Sequence, residues 1–114
     1  MRGQEPLQYR TLHRFTPGLY SRTVILKKGS VVISFRHRTK HQFFILKGLV
    51  QVWTQDRGIV TMKAPFSGTT EAGTIRAVHV LEDCVWTTCH ATQSTTVAEV
   101  EKELFEVPDL GEAP

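Results

Sequence analysis

The sequence predicts an all-β domain, a sandwich or small barrel, and three observations carry that prediction. Short apolar runs of β type succeed one another: Leu19 to Leu26, Ser30 to Phe35, Phe43 to Leu46, Leu49 to Thr54, Gly58 to Met62, Thr74 to Val80 and Val85 to Cys89. Strands this short at this spacing belong to sandwiches and barrels. Glycines punctuate the runs at Lys28-Gly29, Lys47-Gly48, Asp56-Arg57-Gly58, Ser67-Gly68 and Ala72-Gly73, where a chain reversal needs positive φ. No apolar stripe of helical period appears before residue 95.

Taken in order, residues 1–17 mix polar side chains with Pro6 and Pro17 and show no sustained period, which reads as an extended arm of the kind that crosses a neighbouring subunit. Residues 18–92 form the barrel. Residues 95–107 are the helical candidate: Val97, Val100, Leu104 and Phe105 recur among Glu99, Glu101, Lys102, Glu103 and Glu106, with Thr96 as cap and Glu99 three positions on. Pro108 stops the helix, and its acidic face complements the basic front half of the chain. With 114 residues the whole of 1–114 is one domain with one core and room for one site.

Composition narrows the function classes. Hydrophobic residues make up 40% and charged residues 22%, ordinary for a globular protein and unlike a disordered one. No apolar run reaches the roughly 20 residues of a membrane helix, and Met-Arg-Gly-Gln-Glu-Pro lacks the apolar core of a signal peptide. The expected location is therefore a cytoplasm, with a virion equally compatible. Cys84 and Cys89 are separated by an odd number of positions on a strand, so they point to opposite faces and are expected as free buried thiols. The absence of Cys-x-x-Cys argues against a zinc ribbon or a thioredoxin-type site.

The formal net charge is +3, and Lys27, Lys28, Arg36, Arg38 and Lys40 lie between Arg22 and Lys47 with no acidic residue among them. That field favours anionic partners, and it equally suits a basic edge strand. Nucleic acid is not the expected partner, because Phe43 and Phe44 fall inside a strand pattern and read as core rather than a stacking platform. No Gly-rich phosphate loop or nucleophile elbow occurs.

The chemistry concentrates in Gly29 to Gly48, where His37 and His41 interrupt a stretch that would bury well without them. This segment resembles the first motif of the cupin superfamily: a glycine, a His-x-His pair, a later glutamate and a closing glycine. Counting back from Gly48 places His41 at the glutamate position and His37 at the second histidine, while Phe35 stands at the first. Glu71-Ala72-Gly73-Thr74-Ile75-Arg76 resembles the second motif, with Arg76 at its histidine. The resemblance extends from about Ser30 to His90 and is strongest to the short cupins of bacteriophages. It implies a jelly-roll barrel, commonly a homo-oligomer, in a superfamily that holds dioxygenases, isomerases, regulators and plain binding proteins.

Strand parity decides which residues could share a pocket. A four-residue hairpin loop at Leu81-Glu82-Asp83-Cys84 would put Arg76, Val78, Val80, Val85, Thr87 and Cys89 on one face, and Ile75, Ala77, His79, Trp86, Thr88 and His90 on the other. In that register Arg76 joins His37 and His41, His79 is separated from them, and the face with Trp86 and His90 awaits a subunit interface. A slip of one residue makes His79 a third ligand and gives a His37, His41, His79 metal site for Fe, Mn, Ni or Zn. Two histidines and a permanently charged arginine suit an anion better than a divalent cation. The leading expectation is thus a homo-oligomeric cupin that binds a small anionic or nucleotide-like molecule through His37, His41 and Arg76, in a phage setting a captured host metabolite or signal. A metal-dependent dioxygenase or isomerase is the alternative, and a structural or virion accessory protein the third. His13 is expected to be simply exposed.

Overall fold

Two long antiparallel strands form the spine of the structure, a computed structural model that describes residues 9–34 and 36–106. They are β5 (His41–Thr54) and β8 (Arg76–Ala91). In chain order the other elements are β1 (Tyr9–Thr16), β2 (Leu19–Leu26), β3 (Val31–Ile33), β4 (Arg36–His37), β6 (Gly58–Lys63), β7 (Phe66–Thr70), α1 (Val97–Leu104) and β9 (Phe105–Glu106).

Each half of the spine carries its own flanking strands. The first half of β5 pairs with β7 and with the second half of β8, which continues into β2 and β1. The second half of β5 pairs with β6 and with the first half of β8, which continues into β3. The result is two sheet faces joined through strands they share, an all-β cupin-like barrel with a short C-terminal helix. Register shifts between Ile45 and Val50 mark the bend in β5. Gly48 sits there with φ 104°, and a Cβ on it would lie 2.4 Å from the Asp83 carbonyl oxygen. Only glycine lets the two strands come this close at the bend.

This arrangement corrects four expectations. Lys47-Gly48 is a bulge inside one strand, so Phe43–Leu46 and Leu49–Thr54 are parts of β5. The hairpin at Leu81–Cys84 does not exist: β8 runs unbroken through it, paired to β5 on both sides. Ser67-Gly68 lies in β7 and not in a turn; Gly68 opposes Phe43, whose ring covers the space a side chain would fill. Residues 9–16 of the expected arm form the edge strand β1, turned into β2 by Pro17-Gly18 with Gly18 at φ 78°. Its exposed Arg10 and Arg14 are the charges a sheet edge needs, and they hid its period. The part of the arm from 1 to 8 and the stop at Pro108 lie outside the described residues.

The main core is Leu26, Phe43, Ile45, Val50, Val52, Val78, Val80, Cys84 and Trp86. A second cluster forms where α1 lays Val100 and Leu104 on Tyr20, with Phe15 and Phe105 beside them. Thr96 caps the helix through the Glu99 amide, and Glu99 reaches back to the Thr95 amide. The helix ends at Leu104 because β9 turns away to pair with β4. The acidic tail lies on its own barrel: Glu101 pairs with Arg22 at 3.1 Å and Glu106 with Arg36 at 3.2 Å. Cys84 and Cys89 are free; Cys84 is buried, and Cys89 is half-buried on the outward side near Ser21.

Candidate functional site

Along the inward face of β8 the residues read Arg76, Val78, Val80, Cys84, Trp86, Thr88 and His90. The middle of this series is apolar and belongs to the core. Its two ends are polar, and because the spine bends between them, both ends line one cavity of about 250 Å³. Val24, Leu26 and Val32 supply apolar walls, and His37 and Phe105 stand at the side where β4 meets β9.

Arg76 is the anchor of this cavity. It is 9% exposed. One Nη donates to Thr70 Oγ1 at 2.7 Å, the other faces His37 Nε2 at 3.2 Å, and the guanidinium lies 4.9 Å from the Trp86 ring and 5.8 Å from that of Phe43. Among the described residues no carboxylate pairs with it. Burial lowers its pKa to about 10, which leaves it charged at neutral pH. Taking a guanidinium out of water is unfavourable by several kcal/mol, and neutral partners offset only part of that.

Burial favours the neutral form of the histidines around it. His37 Nδ1 lies 2.9 Å from the Thr74 carbonyl, which can only accept, so Nδ1 carries the proton and Nε2 offers its lone pair to Arg76. Burial, and then the Arg76 charge, bring its pKa down to about 4. His41 donates from Nδ1 to the Thr39 carbonyl at 3.0 Å, and burial lowers its pKa as well. His90 shares a 2.8 Å hydrogen bond with Thr88 Oγ1, and its pKa falls to about 3 through burial, then the neighbouring His41 and His37. The ring centroids of His41 lie 5.0 Å from His37 and 4.3 Å from His90. His41 Nε2, His90 Nδ1 and Trp86 Nε1 have no hydrogen-bond partner among the described residues.

The expected residues are therefore distributed as follows. His37 and Arg76 meet in the cavity, and His41 touches the ring of His37 without lining it. His79 does not join them: it is exposed on the outer face, opposite Val31 and Gln51, so the His37, His41, His79 set is not assembled. His90 and Trp86, expected at a subunit interface, are buried inside instead. Their inward turn follows from the missing hairpin, since even-numbered residues keep one face through Arg76, Val78, Val80, Cys84, Trp86, Thr88 and His90. The signal was weak: Leu81-Glu82-Asp83-Cys84 has Asp83 as its one turn-forming residue and no glycine, proline or asparagine beside it. Thr70, paired to Arg76, carried no mark in the sequence. His13 is exposed as expected, yet its Nδ1 lies 2.7 Å from the hydroxyl of buried Tyr20.

A bent antiparallel barrel with a cavity between its two faces, apolar in its walls and polar where Arg76, His37, Thr88 and His90 reach it, defines the class of protein. The solved structures give the particular fold. A cupin superfamily protein from Desulfitobacterium hafniense DCB-2 is similar with TM-score 0.64 at 12% identity, over 74% of this chain and 77% of its own. A protein from Neisseria meningitidis gives 0.62 at 13%, over 73% and 84%. Hydroxypropylphosphonic acid epoxidase from S. wedmorenis gives 0.62 at 12% identity, over 73% of this chain; the match spans half of the epoxidase. These likenesses show a cupin-type fold. No protein-family model matches the chain, and no curated protein matches it in sequence.

An Fe(II) form of that epoxidase is among the similar structures, and the donor set of this cavity can be set against what a divalent cation needs. It does not fit one. Among the described residues no group of three or more His, Cys, Asp or Glu is arranged to hold a metal, and the Nε2 lone pair of His37 faces a guanidinium that would repel a cation.

Proposed function

We propose that the cavity between the ends of β8 binds a small anionic molecule, with Arg76 as its charge partner and His37, backed by His41 and joined by His90, as a neutral polar wall. The observation that carries this reading is a buried guanidinium held by a hydroxyl and an imidazole, with no carboxylate among the described residues to balance it. An anion would supply the missing charge and accept from a planar fork of donors. The test is thermal unfolding of the full chain and of Arg76→Met against a panel of carboxylates, phosphate and sulfate. At least one anion raises the wild-type midpoint, by about 2.7 kcal/mol of stabilisation at a hundredfold excess over Kd, and leaves Arg76→Met unmoved. Indifference of the wild type to every anion, or an equal response of both proteins, contradicts the reading.

A second copy of the chain is the partner we propose for the outer face. Ile33, Ala77, Trp53 and Ile59 are register partners across β3, β8, β5 and β6, and Ile33 and Ile59 are 71% and 68% exposed. A row of this kind is self-complementary about a two-fold axis. Sedimentation of the wild type and Trp53→Glu tests it: the account expects a dimer that the substitution dissociates, and a monomeric wild type contradicts it.

A further inference from the structure

The charge and wall chemistry of the cavity narrow the class of anion, an inference that rests on the anion reading above. We propose that the ligand is a small monocarboxylate with an apolar body, its carboxylate on Arg76 and its hydrocarbon part between Val24, Val32, Val78 and Trp86.

The positive charge available is single. Arg22, the other cation lining the cavity, is already paired with Glu101 at 3.1 Å, and Glu101 lines the same cavity. The imidazoles of His37 and His90 are neutral at physiological pH, held there first by burial, then by the Arg76 charge for His37 and by His41 and His37 for His90. A phosphate or dicarboxylate would bring a second charge with nothing to balance it in a cavity whose walls are mostly hydrocarbon, and an unpaired buried charge is heavily penalised. A monoanion closes the balance on Arg76 alone. Burying hydrocarbon against the valines then contributes roughly 25 cal/mol per Å² of apolar surface removed from water.

Size points the same way. The cavity of about 250 Å³ lies below the roughly 300–1,000 Å³ of pockets that take drug-sized molecules. A branched or aryl-substituted acid suits a cavity of that size. The guanidinium rests against the Trp86 ring at 4.9 Å, so a bound carboxylate and an aryl or branched body would share one wall.

Calorimetric titration of the full chain at neutral pH with phenylacetate, phenylacetamide, inorganic phosphate and oxalate tests the proposal. Phenylacetate is expected to bind at least tenfold more tightly than each of the other three. Arg76→Met abolishes that binding, and Val78→Thr weakens it about tenfold by placing a hydroxyl in the apolar wall. If phosphate or oxalate binds through Arg76 and phenylacetate does not, the class proposed here fails while the anion site stands. Equal binding of phenylacetate and phenylacetamide, or no binding by any of the four, overturns both readings. The comparison of acid with amide needs no variant, so it decides the matter even if Arg76→Met fails to fold.

Discussion

The middle and the ends of the spine strands are built from the same alternation and do opposite things. At the middle, Ile45, Val50, Val80 and Cys84 are buried to 1% exposure or less, and the contacts are hydrocarbon. At the ends, Arg76, Thr88, His90 and His41 are buried almost as deeply but are polar, and two buried nitrogens there, His41 Nε2 and His90 Nδ1, lack partners among the described residues. Burial in the middle stabilises the fold at little electrostatic cost. Burial at the ends is unfavourable for each group alone, and a site under that strain is where a ligand has most to contribute. The lesson is that one strand can be core and pocket at once, provided it bends, and here Gly48 against Asp83 lets it bend.

Four changes break or sharpen this contrast. The largest effect belongs to the middle: Ile45→Ala removes a fully buried side chain and is expected to cost about 2–5 kcal/mol in urea unfolding. A loss below about 1 kcal/mol would mean that the core is looser than described. At the ends the sign reverses. Arg76→Met replaces an unbalanced buried cation with a side chain of similar length, and ligand-free stability should rise by about 1–3 kcal/mol. If stability falls instead, Arg76 holds the fold together more than it waits for a partner.

The third is pH. His37 and His90 have folded-state values of about 4 and about 3, below the ordinary 6.5. Above pH 6.5 neither the folded nor the unfolded state binds the proton. Below it the unfolded chain takes up protons that the folded one refuses, so stability drops as pH falls, and the drop levels off near the folded-state values. With solvent screening through the cavity mouth, the loss at pH 5 is of order 1 kcal/mol per histidine. Denaturant midpoints at pH 7.5, 6 and 5 measure it, and His90→Gln should flatten the slope. The smallest effect lies outside the contrast: Thr96→Ala removes the cap of α1 and costs about 1 kcal/mol, read as a lower unfolding midpoint.

Much of this was legible in the sequence, and the failures share one cause. Strand content, the C-terminal helix with its Thr96 cap, and the pairing of an acidic tail with a basic front follow from local pattern, whereas the placing of Arg76 beside His37 came from the motif resemblance and not from the hairpin register, which does not exist. What the pattern missed was continuity. Glycine marks both a turn and a bulge, so Lys47-Gly48 and Ser67-Gly68 read as chain reversals when each lies within a strand. A break in β8 at Leu81–Cys84 puts Trp86, Thr88 and His90 on the wrong face, which removes all three from the cavity wall they line. Thr70 meets Arg76 only through the pairing of β7 with β5, a long-range contact with no local signature.

One measurement tests the central claim most directly: an NMR titration of the imidazole resonances of His37, His41 and His90, free and with phenylacetate. The account predicts that free His37 stays neutral down to about pH 4, and that the bound anion, by offsetting the Arg76 charge, moves its titration upward. A His37 that titrates near 6.5 and does not respond to the anion would contradict it, because neither the burial nor the unbalanced Arg76 charge that together hold its titration low would then be present.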